Sequence, residues 1–336
     1  MAFVLLLEDK YYFYRPMKKS ISFLFLFLIT SIVSAQQPHD KVEQLIEEKQ
    51  FQKAEDIMSD YVSKHPDDAK AIELLGDAHG HQKDWDNAIT QYEKLTKLDS
   101  KNANYHYKYG GAMGMKALSI SKIRALGIIN DVKREFILAA ELDPKHIDTR
   151  WALVELYMSL PGIVGGSMSK SLRYANELEN LSKVDGYLAK GYIYEYEDEP
   201  EKAEYYYKMA LKVGGSLTCF DKLTNLYETQ KQPEKAIANI ESAQKKHHRN
   251  ALHYQIGKVC ADYNLQLDKG ELCLKTYIEN YSAADGVPKE WAYYRLAQIY
   301  KHKKEKTKAL EYIDKALDMK SDFEQALEEK ESILQI

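Results

Sequence analysis

Residues 191–210 read GYIYEYEDEPEKAEYYYKMA, and the spacing within them decides the fold. Gly191 is followed by Tyr194 three positions on and Ala203 twelve positions on, with Tyr207 and Ala210 beyond. Two antiparallel helices joined by a short turn approach closely only where the residues at their crossing are small. The same spacing links Gly76 to Ala88, Val42 to Ala54, Thr224 to Ala236, and Ala297 to Ala309. Beyond residue 37 the helical period dominates and strand alternation is absent, so the chain reads as a series of helical hairpins.

The second-helix position falls on Ala54, Ala88, Ala175, Ala203, Ala236 and Ala309, with Val132 and Gly270 filling the gaps. Several successive steps, 54 to 88, 203 to 236 and 236 to 270, are 33 or 34 residues. That period, with a small residue and an aromatic in the first helix and Ala-x3-Tyr in the second, resembles the tetratricopeptide repeat (TPR). The best copies are Leu75-Gly76 with Ala88 and Tyr92, and Gly191 and Tyr194 with Ala203 and Tyr207. The Pro that often closes such repeats stands at Pro66 and Pro144 and is replaced by Ser100, His248 and Ser321. The resemblance covers residues 37 to about 323. It implies an all-α fold, a right-handed α-α superhelix (a TPR-like solenoid) of about eight hairpins, with Phe323–Leu334 as a capping helix.

Composition agrees. Gly 16 and Pro 8 in 336 residues are too few for a fold built on many tight turns, such as a sandwich or barrel. A net charge of −4 argues against a dedicated nucleic-acid binder. With 29% charged and 45% hydrophobic residues, the chain is neither disordered nor integral to a membrane. Tyr 26 against Phe 9 and Trp 3 favours half-buried packing and binding faces.

The N-terminal region carries an address. Met17-Lys18-Lys19-Ser20 is a basic start, and Ile21 to Val33 is an apolar stretch too short to span a bilayer. Val33-Ser34-Ala35 offers small residues where a signal peptidase reads. The expectation is a signal region over 1–35, a true start at Met17, cleavage after Ala35, and a single array over 36–336 that is periplasmic or secreted.

Two insertions break the period, at about 112–129 and 160–168. The first is dense in apolar residues, among them Leu118, Ile123, Leu126 and Ile129, and is expected to form an extended helix pair. The second reads Leu160-Pro161-Gly162-Ile163-Val164-Gly165-Gly166-Ser167. Side by side, the insertions are expected to cover each other, with Ile163 and Val164 packed on residues 113–129. The pairing resembles a group of exported bacterial TPR proteins with a Leu-Asp-Pro segment and a Pro-Gly-x-x-Gly-Gly loop, a resemblance that supplies no activity. Gly162, Gly165, Gly166 and Ser167 are candidates for anion binding on free N–H groups; the other reading is that the glycines let the loop lie flat. A P-loop is excluded, since neither Gly-Lys-Ser/Thr nor a preceding strand is present.

No Ser-His-Asp, Cys-His or metal-ligand set emerges, His79 and His81 being two apart on a helix and so on different sides. No catalytic residue, metal or cofactor is expected. Cys219, Cys260 and Cys273 are expected to be buried free thiols. In the repeat family, ligands contact the first helix of each hairpin at points not used for packing. Carried onto this sequence, those points fall on Tyr107, Trp151, Tyr192, Tyr196, Tyr254, Trp291 and Tyr294. Polar companions are Lys70, Asp77, Glu155, Asn225, Lys258 and Gln298. The preferred reading is a non-enzymatic protein–protein interaction scaffold of the cell envelope, holding a segment of another exported protein in a concave groove. The alternative is a small-ligand-binding component of envelope transport or sensing, with its ligand near the insertions.

Overall fold

A computed structural model describes residues 38–336. The signal region expected over 1–35 lies outside the described residues. Among those described there are eighteen α-helices, two short 3-10 turns and no strand.

The helices fall into two compact units, one ending at Leu181 and the other running Ser182–Ile336. In the first unit, α1 (Pro38–Glu47) pairs with α2 (Phe51–Lys64), and α3 (Ala69–His81) with α4 (Trp85–Leu98). Next, α5 (Ala103–Ser119) pairs with α7 (Ile129–Leu142) across the short α6 (Lys122–Leu126), and α8 (Ile147–Ser159) with α9 (Met168–Leu181). In the second unit the pairs are α10 (Lys183–Tyr196) with α11 (Pro200–Val213), and α12 (Leu217–Thr229) with α13 (Pro233–His247). They continue with α14 (Asn250–Asp262) on α15 (Leu267–Glu279) and α16 (Lys289–His302) on α17 (Lys306–Met319), and α18 (Glu324–Leu334) follows as the cap.

Local chemistry sets the ends. Asp68, Asp84 and Asn102 each accept a backbone N–H of the helix they precede, at 3.0, 3.3 and 3.0 Å. Pro200 and Pro233 open α11 and α13, where a missing N–H costs nothing. One turn recurs: Lys49, Lys83, Asp198, Lys231, Asn264 and Lys304 all take positive φ, between 52° and 64°. The N–H after each bonds a carbonyl five residues back, as in Glu199 to Tyr194 at 2.8 Å and Glu305 to Tyr300 at 2.9 Å. These are αL helix ends, which satisfy the last carbonyls and turn the chain into the second helix.

The crossings are as tight as the spacing implies, a ring filling those at Gly76, Gly110 and Gly191 and Leu274 filling that at Gly257. A Cβ on Gly76 would lie 2.6 Å from the Tyr92 ring, and one on Gly191 would collide with Tyr207. Ala54, Ala88, Val132, Ala175, Ala203, Ala236 and Ala309 are all fully buried. Charged pairs one repeat apart join neighbouring hairpins within each unit, such as Lys258 on Glu228 at 2.8 Å and Lys301 on Glu329 at 2.6 Å.

The insertions depart from expectation. The first lengthens α5 as far as Ser119, but α6 buries none of its residues, so the extended helix pair is only half formed. The second is a 3-10 turn, Gly162–Val164, with Ile163 97% exposed. Ile163 therefore does not pack on the first insertion as expected, while Val164 is half-buried. The loop is held through its backbone instead: Lys133 Nζ donates to the Val164 carbonyl at 2.9 Å, and Ser167 N–H to Tyr157 at 2.9 Å. Hydrophobic density alone does not bury a residue; a partner surface must face it.

Candidate functional site

The first unit contains a half-open cleft of about 240 Å³, lined by residues of α3, α4, α5, α7 and α8. Its origin is a stripe on α5. Tyr107, Gly111 and Met115 stand four residues apart and therefore one above another on the helix. A Cβ on Gly111 would meet nothing within 4 Å, so the missing side chain leaves a gap between ring and thioether. Neighbouring Gly110 faces the other way and is closed: a Cβ there would lie 2.9 Å from the Phe136 ring. One glycine of the doublet admits a core ring, and the other opens the cleft.

Trp85, Tyr92 and Phe136 supply more wall, and Gly80 and Ala152 keep it low. Tyr107 lies 6.1 Å from Phe136 and 5.2 Å from His146, centroid to centroid. Burial raises its phenol well above the ordinary tyrosine range, and Asp148 and Glu155 add to this.

The polar edge is a closed network. Tyr92 Oη donates to Asp77 Oδ1 at 2.7 Å, and Lys108 Nζ bridges Asp77 and Glu73, both at 2.7 Å. Burial disfavours the Lys108 charge, but the two carboxylates outweigh it and raise its pKa. Tyr92 is pushed up by burial and by Asp77. His81 stacks on Phe51 at 4.6 Å, and its pKa is lowered by burial, Asp77 opposing and Lys108 adding. The imidazole is thus pushed toward its neutral form, beside a fixed ammonium–carboxylate cluster. Such a site offers rings, a gap and a few fixed dipoles.

The other expected anchors divide. Tyr254 and Tyr294 are buried in the core of the second unit, and Trp291 packs edge-on to Phe323 at 4.5 Å. These three rings serve the stacking of α14, α16 and the cap. Tyr192 and Tyr196 lie together at 6.2 Å on α10, with Tyr196 half exposed. Trp151 is half-buried on α8, and its neighbour Ala152 reaches the cleft. Among the polar companions, Lys70 pairs with Glu43 at 2.6 Å, Gln298 bonds Tyr294 at 2.9 Å, and Asn225 is exposed.

In the Pro161–Ser167 loop, the N–H groups of Val164, Gly165, Gly166 and Ser167 are all bonded to carbonyls at 2.9–3.1 Å. Of the candidates, Gly165, Gly166 and Ser167 thus have their N–H groups engaged, while among the described residues no such bond is made by the Gly162 N–H. Gly165 takes φ +98°, and a Cβ on Gly166 would collide with the Leu160 carbonyl, so these glycines close the turn. Among the described residues no group of three or more His, Cys, Asp or Glu side chains could hold a metal ion. The cleft residues Gly80, His81, Trp85, Gly111 and Met115 were not expected from the sequence. Their signal was the Gly110-Gly111 doublet beside Tyr107.

Comparison with known proteins agrees with this architecture. The family profile described as TPR repeat matches residues 76–116, which hold most of the cleft, and that described as Tetratricopeptide repeat matches 292–323. No curated protein sequence matches the chain. Among solved structures, the chain is similar to YrrB, a TPR protein with an unusual peptide-binding site, at 21% identity and TM-score 0.43, over 58% of this chain and 97% of that one. It is similar to a tetratricopeptide repeat protein from Parabacteroides merdae at 13% identity and TM-score 0.46, over 88% and 96%. It is similar to a thermophilic TPR protein of Thermus thermophilus at 14% identity and TM-score 0.41, over 67% and 98%. The chain carries tetratricopeptide repeats, and its fold is all-α and TPR-like.

Proposed function

We propose that the protein is a non-enzymatic interaction module, and that the cleft beside Gly111 receives an apolar side chain from a segment of a protein partner. One observation carries this reading: α5 omits a side chain between Tyr107 and Met115, leaving a gap walled by rings. At about 240 Å³ the gap is smaller than the ~300–1,000 Å³ common for small-molecule pockets, and its size suits a single large side chain. Tyr92, Asp77, Lys108 and Glu73 at its edge are bonded to one another, so they fix register.

The small-ligand reading keeps one support, since Gly111, Ala112 and Met115 of the lengthened α5 line the cleft. The Pro161–Ser167 loop contributes nothing to it. The partner is another exported protein, on the reading of Met17–Ala35 as a cleaved signal. N-terminal sequencing of protein recovered from cells tests that part, and a chain still carrying Ile21–Val33 removes it.

The cleft is tested by selecting peptides from a displayed random library on the purified protein. A Cβ at Gly111 meets nothing within 4 Å, so Gly111→Leu is expected to enter the gap with the fold intact, which an unchanged circular dichroism spectrum checks. Selected peptides should share an aliphatic or aromatic anchor and bind Gly111→Leu at least tenfold more weakly. Equal binding to both proteins refutes the cleft as the site.

A further inference from the structure

The two insertions share a surface character that the cleft does not explain. In α6, Ile123 is 84% and Leu126 52% exposed; Leu118 at the end of α5 is 58% exposed, and Ile163 is 97%. The two turns lie at one end of adjacent hairpins. Lys133, in the second turn of α7, holds the Val164 carbonyl, and α6 packs on both α5 and α7.

In sequence their charge is one-sided, although Lys116 is bonded to Asp86 and Arg173 lies 3.9 Å from Glu177, which leaves Lys122 and Arg124 as the cations beside Ile123. From Met115 to Asn130 the sequence carries Lys116, Lys122 and Arg124 and no acid, and from Leu160 to Arg173 it carries Lys170 and Arg173 and no acid. This stands out in a chain of net charge −4. Lys122 and Arg124 flank Ile123 and are exposed with it.

We propose that this end of the α5–α9 hairpins is a docking surface for an anionic phospholipid membrane, with Ile123, Leu126 and Ile163 entering the interface and Lys122 and Arg124 meeting the headgroups. Aliphatic tips flanked by the exposed cations Lys122 and Arg124 combine the two attractions that hold a peripheral protein at such a surface: apolar insertion and Coulombic attraction to the anionic leaflet. A second copy of the same patch is the poorer occupant, because a two-fold contact would set cations against cations. The contact is peripheral: among the described residues no helix is long and apolar enough to cross a membrane. The surface stands apart from the Gly111 cleft, and neither reading depends on the other.

The test places an environment-sensitive thiol dye at Ile163→Cys in the full chain. The native cysteines are buried, so the dye reports this tip alone. With vesicles of phosphatidylglycerol in phosphatidylcholine, the emission should shift to the blue, and added salt should weaken the response. Adding Lys122→Glu and Arg124→Glu should lower vesicle affinity at least tenfold with an unchanged circular dichroism spectrum. An absent response, or an equal one on phosphatidylcholine alone, overturns the proposal. So does a blue shift without vesicles that grows with protein concentration, which would make the patch a protein interface.

Discussion

Gly110 and Gly111 are adjacent in the same helix, yet the same substitution at each should change stability very differently. Ala replaces Gly in a helix interior with a gain of about 1 kcal/mol, because the unfolded glycine has more freedom to lose. At Gly111 the new methyl meets nothing within 4 Å, so Gly111→Ala should gain close to that full amount. At Gly110 it falls 2.9 and 3.0 Å from ring carbons of Phe136 and 3.2 Å from Glu135 Cβ. Neither neighbour yields easily. Phe136 is fully buried, and Glu135 is held by His106 at 2.7 Å. Forcing a methyl into a packed core costs about 1–3 kcal/mol, which cancels or reverses the gain. The two variants should therefore differ by roughly 1–3 kcal/mol, Gly111→Ala being the more stable. Urea unfolding followed by far-UV circular dichroism measures this, provided the slopes agree and the midpoints carry the difference. Midpoints that coincide would refute the account of the doublet, and with it the origin of the cleft.

Three further outcomes are expected. Burial pushes the Cys260 and Cys273 thiols up to about 11, so Cys219, Cys260 and Cys273 should resist alkylation in the native protein and all react after denaturation without reductant; fewer than three labelled sites by mass spectrometry would mean a disulfide. Burial alone would raise the Glu271 pKa, but bonds from Lys275, Lys303 and Tyr300 at 2.7, 2.6 and 2.7 Å bring it down to about 2. Its stabilisation is present above the ordinary carboxylate range and lost as pH falls from ~4 toward 2, so Glu271→Gln should be less stable than wild type at pH 7 and equal to it near pH 2; a gap independent of pH contradicts this. Gly166→Ala should cost ~1–3 kcal/mol by driving a methyl into the Leu160 carbonyl, while Ile163→Ser should stay within ~0.5 kcal/mol, and calorimetry showing the reverse order would mean that the loop is held by its side chains.

Much of the fold was legible because the crossing geometry admits few residues. Gly76 and Gly191 had to be small to receive Tyr92 and Tyr207, and the second-helix alanines are fully buried. What periodicity left open is which rings on the first-helix face stay available. Tyr107 and Tyr254 occupy the same register, yet Tyr254 is covered, with Tyr277 5.4 Å away, while Tyr107 borders a gap. The difference lies four residues on, where α5 has Gly111 and α14 has Lys258. The end of the array shows the same limit, since Phe323 from the cap reaches back to Trp291 and Tyr294. In the insertions, apolar density points to mutual burial, but among the described residues Ile123 and Ile163 remain exposed.

The short α6 segment has a consequence for how this protein holds together as a chain. It is the only covalent path from α5 to α7, yet it buries no residue, while Gly110 and Phe136 interlock the two long helices directly. Cohesion of that hairpin thus belongs to its faces, and the link serves only to keep them at high effective concentration. A polypeptide severed at Lys122–Arg124 would still present two matched surfaces, one ending the first fragment and the other beginning the second. The natural seam for a split or circularly permuted version of this protein therefore runs through a helix, at a point where no buried contact is broken.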